Sequence, residues 1–118
     1  ADLARAVEIA PDNLAVLNSR GAERLRTGDA PGAAADFTRV LEGNPDHVPT
    51  RVARATARLH VLDFDGAVAD CGDALRVEPK HREALITRVS ARMMQQQFAE
   101  AMADVAVLLE AEPTSPEI

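Results

Sequence analysis

The sequence predicts an all-α protein, a solenoid of antiparallel helix pairs, and three observations carry that prediction. Pro11, Pro45, Pro79 and Pro113 recur at equal intervals, and an apolar pattern of helical period runs up to each. Ala and Leu are abundant and aromatics make up only 3%, with no Trp or Tyr, which suits close helix-on-helix packing and argues against a sheet. The 118 residues are 47% hydrophobic and 27% charged, the balance of an ordinary folded chain. A unit as short as one such interval cannot hide its apolar face alone, so each is expected to bury it against the next.

Residues 1–10 place Leu3, Ala6, Val7 and Ala10 at three- and four-residue spacing and read as a helix already under way at the first residue. Because the chain also begins without Met, it is expected to be a cut or processed piece. The unit at 11–44 has Asp12 as its candidate N-cap, a helix to about Arg26 and a turn at Thr27-Gly28-Asp29. Its second helix carries Pro31 in the first turn and ends near Gly43-Asn44. The unit at 45–78 follows the same plan, with Asp46 as cap and Pro49 in the first turn, where its missing N–H costs little. Its helices run to about Val61 and about Val77, with a turn around Asp63-Phe64-Asp65. The unit at 79–112 is the least regular: helices are expected near 80–95 and 98–111, Lys80 is a poor cap, and Gln95-Gln96-Gln97 replaces the Gly-Asp turn. Residues 113–118 look like a cap with no helix behind it and are expected to fray.

A 34-residue period of two helices resembles the tetratricopeptide repeat. The family pattern of a large apolar residue, a small residue four later, then an alanine, an aromatic and a proline is met by Leu17, Gly21, Ala33, Phe37 and Pro45. The same columns hold Arg51, Ala55, Ala67, Cys71 and Pro79, then Leu85, Val89, Ala101, Val105 and Pro113. Asp2, Val7 and Pro11 lie one full period before Asp36, Leu41 and Pro45, so residues 1–10 resemble the second helix of a preceding unit. Departures occur at Val89, bulky where a small residue lets the helices touch, and at Arg24, Arg58 and Arg92, where the family often has an aromatic. The resemblance implies a right-handed superhelical solenoid whose first helices line a concave face. By that resemblance the groove-facing columns are Asn18, Val52 and Ile86; Ala22, Thr56 and Ser90; and Arg26, His60 and Met94, with Glu83 near the third unit's entry.

One column is invariant within the chain: Asp2, Asp36, Asp70 and Asp104, matched on the first helices by Arg20, Arg54 and Arg88. In an antiparallel hairpin the two columns face each other, so structural ion pairs Arg20–Asp36, Arg54–Asp70 and Arg88–Asp104 are expected. With His neutral, the stretches 12–28, 46–62 and 80–96 carry +1, +2 and +3, while the whole chain carries −6. The first helices are therefore more basic than the rest, which suits an acidic peptide on the concave face. The competing reading is that three arginines are neutralised by the aspartates and the others are solvated or cover apolar surface with their stems. Family members that clamp the terminal carboxylate of chaperone tails use Lys, Asn and Arg on these faces. The corresponding positions here hold Asn18, Ala22, Ala53, Glu83 and Thr87, so only fragments of that clamp exist and chaperone-tail binding is disfavoured.

Other chemistry is sparse. His47 and His81 share a column in successive units and read as solvated loop residues rather than a metal site. Asp63-Phe64-Asp65-Gly66 opens like a calcium loop but lacks the closing glutamate. Cys71 reads as a buried inert thiol, and Met93-Met94 as packing more than as an adaptable surface. No phosphate loop, catalytic triad or carboxylate pair emerges, so neither catalysis nor a cofactor is expected. Lys80 is the sole lysine, leaving no basic run for nucleic acid or a membrane surface, and no apolar stretch is long enough for membrane insertion. One cysteine mildly favours a reducing, cytoplasmic compartment.

The expected function is thus a non-catalytic interaction module that holds another protein or peptide in its concave groove. The alternatives are a regulatory or substrate-presenting segment of a larger enzyme, and a self-association module joined through exposed repeat ends.

Overall fold

A computed structural model describes residues 13–111. Six α-helices follow one another there: α1 Leu14–Arg26, α2 Ala30–Gly43, α3 Val48–His60, α4 Phe64–Val77, α5 Arg82–Met94 and α6 Phe98–Ala111. The helix expected at 1–10, with Asp2, and the tail at 113–118 lie outside the described residues.

The cap chemistry places each helix start. Asn13 opens α1 by accepting from the Val16 N–H at 3.2 Å, and Asp29 and Asp63 open α2 and α4 by accepting from the N–H groups of Gly32 and Gly66, both at 3.0 Å. The expected turn at Asp63-Phe64-Asp65 is therefore corrected: Asp63 caps α4, Phe64 is its first residue, and the turn is Val61-Leu62. The expected caps are corrected as well: Asp12 lies outside the described residues and Asn13 caps α1, Asp46 does not cap α3, and Lys80, a poor cap by sequence, does not cap α5. His47 and His81 do that work, their Nδ1 atoms accepting from the N–H groups of Thr50 and Ala84 at 3.3 Å each. These histidines are helix caps, not free loop side chains; an unprotonated imidazole nitrogen is an acceptor like a carboxylate oxygen.

Every first helix ends in the same left-handed step. Asp29, Asp63 and Gln97 donate their N–H groups to the carbonyls of Arg24, Arg58 and Arg92, at 2.7, 2.8 and 2.8 Å, closing a Schellman motif. The residue before each donor has positive φ: Gly28 at 99°, Leu62 at 67° and Gln96 at 63°. Glycine takes that conformation at no steric cost, whereas Leu62 and Gln96 do not.

Helices pair within units (α1 on α2, α3 on α4, α5 on α6) and between them (α2 on α3, α4 on α5). The first helices α1, α3 and α5 also touch along the array, while the second helices do not touch one another among the described residues. The stack therefore curves, with first helices on the inner face and second helices outside. A radius of gyration of 15.6 Å exceeds the ~13 Å expected of a compact domain of about 100 residues, as an elongated array requires.

The core is a row of small interfaces. Leu17 and Val40 pack inside the first unit; Ala33, Phe37 and Ala57 join it to the second. Val52, Ala55, Cys71, Leu75, Ala84 and Leu85 tie the second unit to the third. Alanine dominates because the helices approach too closely for larger residues.

Candidate functional site

Two faces of the first helices carry different chemistry. One faces the second helices and holds the charge. Arg20 makes a two-pronged contact with Asp36, Nε to Oδ2 at 2.9 Å and Nη2 to Oδ1 at 2.7 Å. Arg54 grips Asp70 in the same way at 2.9 and 2.8 Å, and Arg88 grips Asp104 at 2.8 and 2.6 Å. Donating to the Asp36 carboxylate raises the Arg20 pKa above its ordinary value, against an opposing effect of burial. The second arginine column joins the same carboxylates: Arg24 lies 3.3 Å from Asp36, Arg58 3.0 Å from Asp70 and Arg92 2.9 Å from Asp104. The idea that these second arginines are solvated or merely cover apolar surface is thereby corrected, since one turn of helix brings each to the aspartate already held by its neighbour.

Unit-specific details decorate this ladder. Arg51, in a column otherwise held by Leu17 and Leu85, donates to the Pro45 carbonyl at 2.7 Å and to Asp73 at 3.2 Å. Asp29 and Asp63 lie 3.8 Å from Nε of Arg24 and Arg58, whereas Gln97 stands in that column in the third unit and Nε of Arg92 is buried without a partner.

The other face is the concave one. A groove of about 470 Å³ runs across all three first helices, lined by Leu25 of α1, Pro49, Val52, Ala53 and Thr56 of α3, and Glu83, Ile86 and Thr87 of α5. Val52 is buried and forms its floor, while Ile86 and Glu83 are exposed at its rim. The Thr56 hydroxyl is occupied with the Val52 carbonyl at 3.2 Å. At 100° per residue the Arg20, Arg54 and Arg88 column lies about 200°, and the Arg24, Arg58 and Arg92 column about 240°, round the helix from the Asn18, Val52 and Ile86 column. The cationic excess of the first helices therefore sits in the aspartate clusters and not in the groove lining. That corrects the electrostatic reason for expecting an acidic peptide.

Four residues of the expected groove, Val52, Thr56, Glu83 and Ile86, meet in it; the other six do not line it. Asn18 accepts from the Thr50 hydroxyl at 2.9 Å and lines a separate hollow of about 290 Å³ with Leu14, Ala15, Val40, Asn44 and His47. Ala22 and His60 are exposed, Ser90 is half-buried, Met94 is exposed at the C-terminal end of α5, and Arg26 is ion-paired with Glu23. By sequence, Ala53 and Thr87 stand only as clamp positions and Pro49 only as a first-turn proline, and Leu25 carries no assignment. Leu25 follows Asn18 by seven residues, two helical turns, and that spacing is the signal that could have found it.

Cys71 is fully buried, and burial pushes its thiol up to about 12, with Arg88 pulling the other way. It is a packing residue. Among the described residues no group of three or more His, Cys, Asp and Glu could hold a metal, and no helix is long and apolar enough to cross a membrane.

Against known proteins, the sequence matches no family model and no curated protein. Solved structures match closely in shape. The first tetratricopeptide domain of Spaghetti (RPAP3), bound to the HSP90 peptide SRMEEVD, superimposes with a TM-score of 0.79 at 27% identity, covering 88% of this chain and 85% of that one. The solution structure of the first such domain of human RPAP3 gives 0.80 at 27% identity over 89% and 83% of the two chains. A MamA D159K mutant gives 0.85 at 22% identity, covering 96% of this chain and 64% of its own.

Proposed function

We propose that this tetratricopeptide-repeat array is a binding module that holds a peptide segment of a partner protein in the groove across α1, α3 and α5, and that its own residues do no chemistry. The observation that carries this reading is the groove itself: an apolar, open channel of about 470 Å³ spanning three units on the inner face. The peptide seen on the similar Spaghetti (RPAP3) domain supports it. Ile86→Asp tests it, because Ile86 is exposed at the rim and its loss leaves the core intact. Peptides selected on the wild type should lose binding to a variant of unchanged melting temperature; retained binding would remove the groove from the account.

A second reading, self-association, is favoured by one specific observation. Leu41 and Leu75 are 5% and 8% exposed because the next unit's first helix covers them, whereas Leu109 in the same column is 68% exposed, and Phe98 and Met102 share its stripe on α6. Sedimentation of the wild type and Met102→Glu tests it: concentration-dependent association that the substitution abolishes supports it, and a monomer throughout excludes it.

A further inference from the structure

We infer that the groove selects a segment presenting one bulky apolar side chain beside a lysine or arginine, and that it disfavours acidic tails. The inference rests on the groove reading above and adds the chemistry of the occupant.

The lining is mostly hydrocarbon. Leu25, Pro49, Val52, Ala53 and Ile86 supply its walls and floor, so the occupant's anchor must be apolar to gain from leaving water. Glu83 is the only charged side chain of the lining, and among the described residues its carboxylate has no hydrogen-bond or ion-pair partner. No cation in the lining answers it. The arginines of the first helices are committed elsewhere: Arg20, Arg24, Arg54, Arg58, Arg88 and Arg92 to the three aspartates on the opposite face, and Arg26 to Glu23. Lys80 lies off the lining, in a separate hollow with Glu78, Pro79 and His81. Arg82, beside Glu83 in sequence, lies off the lining and has a contact of its own.

An acidic ligand would thus meet a like charge and no compensating cation in the lining, while a basic flank completes an ion pair at the rim. Discrimination comes as much from what the wall repels as from what it attracts. An exposed pair of this kind is worth about threefold in affinity, so the preference is graded, with the apolar anchor providing most of the binding.

The test uses a random heptapeptide display library selected in parallel on the wild type, Glu83→Lys and Ile86→Asp. Peptides recovered on the wild type should pair an apolar residue with Lys or Arg, bind Glu83→Lys about threefold more weakly, and fail on Ile86→Asp. Selection on Glu83→Lys should shift the flank toward Asp and Glu. Ile86-dependent peptides that are acidic, or whose charge ignores Glu83→Lys, would overturn the charge preference while leaving the groove standing. Peptides indifferent to Ile86→Asp, or no recovery above background, would overturn both.

Discussion

The ring of Phe37 fills the space that a side chain at Gly21 would need: a Cβ built on Gly21 would lie 2.6 Å from Cε1 of Phe37. The corresponding positions in the next unit are Ala55 and Cys71, a larger residue on the first helix facing a smaller one on the second. Volume is traded across the hairpin so that the helices keep their distance.

Gly21→Ala should therefore destabilise the protein by about 1 kcal/mol, because overpacking outweighs the helix propensity gained. Chemical denaturation measures it. The double variant Gly21→Ala, Phe37→Leu should cost less than the sum of the two single changes, and strict additivity would show that the ring is not the obstacle.

Asp70 is 2% exposed and receives Arg54 and Arg58, with Arg51 at 3.5 Å. Asp70→Ala leaves these guanidinium groups facing a half-buried void and should cost about 3 kcal/mol. An unchanged denaturation midpoint would remove the cluster from the stability account.

Leu62 and Gln96 adopt the left-handed conformation that Gly28 adopts at the same point of the first unit, and both side chains are exposed. Leu62→Gly and Gln96→Gly should each stabilise by somewhat less than ~1 kcal/mol, the relieved strain exceeding the entropy that glycine adds to the unfolded chain. A lower melting temperature for both would contradict the geometry of these turns.

Gln97 stands where Asp29 and Asp63 cap their helices and approach an arginine Nε, and Arg92 Nε is left orphaned. Gln97→Asp should raise stability by about 1 kcal/mol, by capping α6 and giving that nitrogen an acceptor. Differential scanning calorimetry reads the shift, and a fall in melting temperature would count against it.

Much of the fold was legible in the sequence because period is a global signal: a proline at the same point of every unit and the apolar stripes between fix helix number and order however individual positions vary. Caps were less legible. Asp46 directly follows its proline and has a good capping side chain, but His47, like His81 one period later, holds the acceptor at the right point of the turn. The candidate groove was partly legible. Columns one period apart identify Val52 and Ile86 but assume every unit contributes alike, whereas Leu25 enters from a different turn and Asn18 is drawn aside to Thr50. Charge was the least legible, since summing over a helix ignores that arginines about 200–240° round from the groove are bound to aspartate.

The most direct test of the central claim is a ¹H–¹⁵N chemical-shift map of the protein titrated with a peptide selected on it. The largest changes should fall on Leu25, Ala53, Thr56, Ile86 and Thr87 across the three first helices, with the α6 face at Phe98, Met102 and Leu109 unmoved. Changes centred on that α6 face, with the inner helices silent, would contradict that claim.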